Sequence, residues 1–137
     1  MLEIYLPIPP TINHYYCPRQ GSYAKYIGSE GKIFRQKAFI IKNQLNLKTI
    51  ENQKLKISID FIFNNNYKND IDNRIKPLLD ALQYVQLIDD DKNIVQIGHI
   101  NKYVDKSQKE SFCKIILEAS NLEFKQFQIP DYLDKLL

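Results

Sequence analysis

The sequence predicts an α+β fold: a single domain built on a mixed, mostly antiparallel sheet with two main helices. Three observations carry this. An apolar run at residues 54–63 alternates strictly at first, and two segments carry apolar residues at helical spacing. Further strand-like runs stand at the start of the chain and beyond residue 94. With 137 residues, 44% of them hydrophobic, the chain suits one core and leaves too little to fold a second. Residues 1–120 are expected to form this domain, and 121–137 a C-terminal extension with no assigned role.

Leu2 to Leu6 alternates as a strand, and Pro7, Pro9 and Pro10 stop it. Residues 9–22 read as a long loop punctuated by Pro18 and Gly21, followed by a short strand over Tyr23 to Ile27. Ser29 is the expected N-cap of a helix running to about Asn46, with Ile33, Phe34, Ala38, Ile41 and Leu45 facing inward. Residues 54–63 form a strand with one buried face and a deeper end. After the polar loop Asn64 to Asn69, residues Ile71, Ile75, Leu78, Leu82 and Val85 mark the stripe of a second helix. Pro77 lacks the N–H required deep in a helix, so regular turns should begin near Asn73, capped by Asp72 or Asn73. Residues 94–104 and 111–118 read as two more strands, candidates for a hairpin, and the segment from Asn121 as a source of a short helix.

No apolar run approaches the ~20 residues of a membrane span. The N-terminus is too short and acidic for a signal peptide, so a cytoplasmic protein is expected. Cys17 and Cys113 are read as thiols. With His14 and His99 they exhaust the Cys and His of the chain, and their spacing matches no compact zinc pattern. The net charge of +3 is too small to demonstrate a nucleic-acid partner. Its distribution says more: Asp70, Asp72, Asp80, Asp89, Asp90 and Asp91 lie close together and leave a basic remainder. A protein gripping phosphates around an acidic metal site would show this. A solvated mixed-charge surface accounts for the charge equally well.

The acidic segment is the informative one. Asp70 and Asp72 are two apart and point the same way on an extended segment. Asp72, Lys76 and Asp80 are four apart and share one helix face. Gathered carboxylates repel and rise in pKa unless a cation neutralises them. A hard divalent ion with oxygen ligands does so, and magnesium uses one or two carboxylates while keeping waters and phosphate oxygens. That suits metal-assisted phosphodiester hydrolysis, with Lys76 offsetting transition-state charge or orienting water. An N-cap plus solvated loop, or a plain i,i+4 salt bridge at Lys76, explains the same residues without chemistry. An EF-hand is ruled out, since neither acidic run has Gly at the sixth position or Glu at the twelfth.

The full constellation is Asp70-x-Asp72-Asn73-x-x-Lys76-Pro77-x-x-Asp80-Ala81-Leu82 followed by Asp90-Asp91. It closely resembles the RusA family of Holliday junction resolvases. So does the start of the chain, Leu6-Pro7-x-Pro9-Pro10-Thr11-x-Asn13-x-Tyr15-Tyr16, then Ser29-x-Gly31 and Arg35. The resemblance spans about residues 2–118 and implies a RusA-like fold. It also implies a homodimeric, magnesium-dependent endodeoxyribonuclease, with Mn2+ as a possible substitute, that nicks two opposing strands of a four-way junction in DNA recombination and repair. By the same resemblance Asp70, Asp72 and Asp91 are the catalytic metal-binding carboxylates and Lys76 the essential basic residue beside them, with Asp90 and Asn73 in support. An isologous dimer matches the two-fold symmetry of such a junction. Two features depart from the family: the loop before Asp70 keeps only Lys68 where relatives often carry several arginines, and the tail from Asn121 runs past the usual end.

Candidate DNA contacts are Arg19, Arg35, Lys68 and Arg74, with Lys25, Lys32 and Lys102 as further phosphate binders by charge, and Tyr15 and Tyr16 as stacking residues. Two other functions use the same residues. One is a nuclease preferring flaps or forks, and the other a non-catalytic branched-DNA-binding protein. A bacterial or phage-encoded origin is expected.

Overall fold

In the computed structural model, which describes residues 1–21, 25–66 and 68–137, the elements run in this order. Strand β1 (Leu2–Pro7) leads to a one-turn helix α1 (Ile12–Tyr15) and the short strands β2 (Tyr16–Pro18) and β3 (Lys25–Ile27). Helix α2 (Ser29–Gln44), strand β4 (Leu55–Phe63) and helix α3 (Asp72–Tyr84) follow. A 3-10 turn (Asp91–Asn93), the strands β5 (Ile94–Val104) and β6 (Phe112–Ala119), and a short exposed helix α4 (Asp131–Asp134) complete the chain.

The main sheet has the order β1-β6-β4-β5. Strand β4 sits inside it because its alternation buries Leu55, Ile57, Ile59, Phe61 and Phe63 almost completely. It pairs antiparallel with β6 and parallel with β5, and β1 pairs antiparallel with β6. The expected α+β class and mixed, mostly antiparallel sheet are therefore present. The hairpin expected of residues 94–104 and 111–118 is not: β4 lies between those strands. An apolar strand buries its edges best with a neighbour on each side, and the 105–111 segment crosses over to allow it.

One face of the sheet carries the core, joined by Phe34 and Ala38 of α2 and by Leu78, Ala81 and Leu82 of α3. The other face is polar and holds the ion pairs Lys56–Glu118, Lys114–Glu3 and His99–Asp60. Helix α1 and β2 replace part of the expected loop over 9–22, and α1 contacts both α2 and α3. Tyr15 anchors it, wholly buried. Gly31 permits this packing, because a Cβ there would stand 2.8 Å from the Tyr15 carbonyl oxygen and 2.8 Å from Ile27 Cγ2. Of the strand expected over 23–27, residues 25–27 are seen, and Tyr23 and Ala24 lie outside the described residues.

Three local expectations are corrected. Gly28, not Ser29, precedes the first turn of α2, and no side chain caps it. Ile33 and Leu45 are about half exposed, because the helix packs through a narrower stripe of Gly31, Phe34 and Ala38. Helix α3 begins at Asp72 with Ile71 at the cap position, so neither Asp72 nor Asn73 caps it. Pro77 sits inside α3, buried, close enough to the start to forfeit a single backbone hydrogen bond.

Candidate active site

Helix α3 and the turn before β5 carry the acidic residues. Asp70 lies exposed two residues before Asp72, which occupies the first turn of α3. Asp91 arrives from the other direction. Its half-buried side chain lines a recess of about 380 Å³ with Ile75 and Leu79 of α3 and Ile94 and Ile97 of β5.

The three successive aspartates have separate duties. Asp89 receives hydrogen bonds from the Asn52 N–H at 3.1 Å and the Asn93 amide at 2.7 Å, which hold its carboxyl below the usual range. An adjacent bridge between Ile50 and Ile88 ties the same segment down. Asp90 caps the 3-10 turn, accepting from the Lys92 N–H at 2.9 Å. Asp91 is oriented through its backbone, whose N–H donates to Gln83 Oε1 of α3 at 2.9 Å. Gln83 was not singled out from the sequence, since a lone glutamine one turn from the acidic motif carries no pattern of its own.

Lys76 forms no ion pair with Asp72 or Asp80 among the described residues; its ammonium lies 5.3 Å from the centre of the Tyr16 ring. Asp80 is taken by the Tyr16 hydroxyl, which donates to it. Burial, then this acceptor, raises the Tyr16 pKa and keeps the phenol protonated. Lys76, Tyr16 and Asp80 thus form one connected patch. Its lysine is exposed, and Arg35 lines a small recess with Asp80 on the same patch.

Arg74 turns inward. Its guanidinium donates to the Pro9 carbonyl at 2.7 Å and the Asp70 carbonyl at 3.0 Å, reaches Asn69 Oδ1 at 3.5 Å, and lies over the Phe63 ring. Burial lowers its pKa. It therefore clips the proline-rich start of the chain to the Asp70 loop. Tyr15 is corrected as a stacking residue. It is fully buried, its hydroxyl accepts from Arg35 Nε at 2.7 Å, and burial raises its pKa. Tyr16 is half-buried with its hydroxyl engaged, while Arg19 and Lys68 stand exposed. Arg35 lies 3.9 Å over the Tyr84 ring, and Asn73 is exposed beside Asp72.

Asp70, Asp72 and Asp91 are all hard oxygen donors, and none forms an ion pair among the described residues. In kind they suit a magnesium-like ion. In position they are not gathered: among the described residues no group of three acidic, His or Cys side chains lies close enough to hold a metal.

A family profile described as endodeoxyribonuclease RusA matches residues 7–110, from the proline-rich start through β5. The chain belongs to the RusA family of endodeoxyribonucleases. It is 30% identical over 95 residues to a crossover junction endodeoxyribonuclease of Enterobacteria phage HK97, an alignment covering 69% of this chain and 78% of that relative. The RusA match takes in Asp70, Asp72, Lys76, Asp90 and Asp91 and leaves β6 and the tail outside. No helix of the described residues is long and apolar enough to cross a membrane.

Proposed function

We propose that this RusA-family endodeoxyribonuclease resolves Holliday junctions by paired symmetric nicks during recombination and repair, acting as a homodimer with magnesium. The observation that carries the reading is the family match across the segment where α3 presents Asp72 and Lys76 and Gln83 fixes the backbone of Asp91. The name of the phage relative supports a crossover junction as the substrate.

Asp70, Asp72 and Asp91 are the residues that would hold the metal, which supplies charge neutralisation and a more acidic water at the scissile phosphate. Asp70 and Asp72 are exposed to solvent, and Asp91 lines the recess between α3 and β5. Lys76, exposed beside the Tyr16 ring, would offset charge developing on the phosphate. Asp90 supports the turn by capping it, and Asn73 stands exposed beside Asp72. Two sites related by a two-fold axis fit two symmetry-related cuts.

The test is cleavage of an end-labelled four-way junction by the wild type and Asp72→Asn, with magnesium and with EDTA. Symmetric nicks requiring both magnesium and Asp72, with junction binding retained in Asp72→Asn, are expected. Equal cutting of four-way, three-way and flap DNA would reassign the enzyme to general branch cleavage. Binding without cutting under every condition would make it a junction-binding protein.

A further inference from the structure

A groove of about 1160 Å³ lies at the opposite end of α3 from Asp72, between α2 and the last turn of α3. Its rim carries Arg19, Lys32, Arg35 and Lys42, and no acidic residue lines it among the described residues. Lys32, Arg35, Phe39 and Lys42 recur at three- and four-residue steps and so share one face of α2. The floor is apolar, with Phe39 52% and Tyr84 61% exposed, so both rings are open to a ligand. Arg35 already stacks on Tyr84, and its Nε is fixed by the buried Tyr15 hydroxyl, so the platform is held in place before any ligand arrives.

We propose that this groove seats an unpaired stretch of DNA, with phosphates along the cationic rim and a base stacked on Phe39 or Tyr84. The charge complementarity favours a polyanion, and flat apolar surface between cations is what a single strand uses and a duplex backbone does not. Lys32 and Lys42 are ten residues apart on the helix, ~15 Å, the length of about four nucleotides of one strand. Tyr84 stands ~18 Å along α3 from Asp72, so one branched substrate can occupy the groove and the acidic site together. The proposal rests on the endodeoxyribonuclease reading for its ligand and adds a second contact region remote from the cut.

The experiment measures binding of a short labelled oligothymidine in EDTA across a salt series, for the wild type, Lys32→Gln/Lys42→Gln and Phe39→Ala/Tyr84→Ala. All four side chains are exposed or half-exposed, and thermal melting verifies folding. The lysine pair is expected to lower the slope of log affinity against log salt by about 1.4, at 0.7 per phosphate contact. The aromatic pair is expected to weaken binding roughly fivefold or more. Wild-type affinity and slope in both folded variants would overturn the proposal. So would sedimentation showing that Phe39→Ala/Tyr84→Ala dissociates a dimer, since a second copy would then fill the groove. Nicking of the four-way junction by the wild type is scored separately. Nicking without a variant effect defeats the groove alone, and a variant effect without nicking defeats the resolvase reading alone.

Discussion

Arg74 lies within the acidic motif, and its charge invites the reading of a phosphate contact, yet its bonds point into the protein. Arg74→Lys separates the two roles. Lysine keeps the charge and loses the fork that reaches Pro9 and Asp70 together. Two charge-assisted hydrogen bonds are lost, at 2.7 and 3.0 Å; the 3.5 Å approach to Asn69 adds little. Bonds of this kind contribute about 1.5–3 kcal/mol each when buried, and the Asp70 one is exposed and counts for less. Lysine returns to solvent and recovers part of the burial cost, leaving a net loss of roughly 2 kcal/mol. For a domain of this length that lowers the melting temperature by about 6–8 °C. Junction affinity measured in EDTA should keep its salt slope, because a clip inside the protein releases no counterions. An unchanged melting temperature together with a changed junction affinity would refute the clip and restore Arg74 as a DNA contact.

Three further outcomes follow from local geometry. Gln83→Met removes the acceptor of the Asp91 N–H and should slow junction cutting about tenfold with binding unchanged; equal single-turnover rates would show that Gln83 does not position Asp91. Gly31→Ala should gain about 1 kcal/mol of helix propensity and lose more to the clash with the fixed Tyr15 carbonyl, a net destabilisation of roughly 1–2 kcal/mol by urea denaturation, and a stabilised variant would contradict that packing. Burial pushes the Cys113 thiol up to about 12, so the folded state retains its proton where the unfolded chain loses it. Its contribution is complete below pH 9 and is lost as the pH rises toward 12. Cys113→Ala should flatten that alkaline decline in a pH series of denaturant midpoints.

The fold was legible where burial alone decides structure. β4 shows its depth in Leu55, Ile57, Ile59, Phe61 and Phe63, and α3 in Leu78, Leu82 and Val85, because each period matches one element packed on one core. Strand order was not legible. Apolar alternation in residues 94–104 and 112–119 says that each forms a strand, and nothing in it says that β4 must lie between them. The helix start at residues 12–15 was hidden for a related reason: α1 is a single turn whose stability comes from the buried Tyr15 ring and the space left by Gly31, contacts far apart in sequence.

The acidic site divides along the same line. Asp70, Asp72 and Lys76 follow from spacing, since neighbours on an extended segment or a helix face need no tertiary information. Asp89, Asp90 and Asp91 are indistinguishable as a sequence of three carboxylates, and tertiary contacts separate them. Asn52 and Asn93 hold Asp89, the Lys92 amide takes Asp90, and Gln83 turns the backbone of Asp91 toward α3. The basic residues divide in the same way: Arg74 and Arg35 are held by carbonyl, hydroxyl and ring partners contributed by distant segments, while Lys68 and Arg19 remain exposed. Charge in the sequence counts possible phosphate contacts, and the bonds made on folding determine which cations stay available to make them.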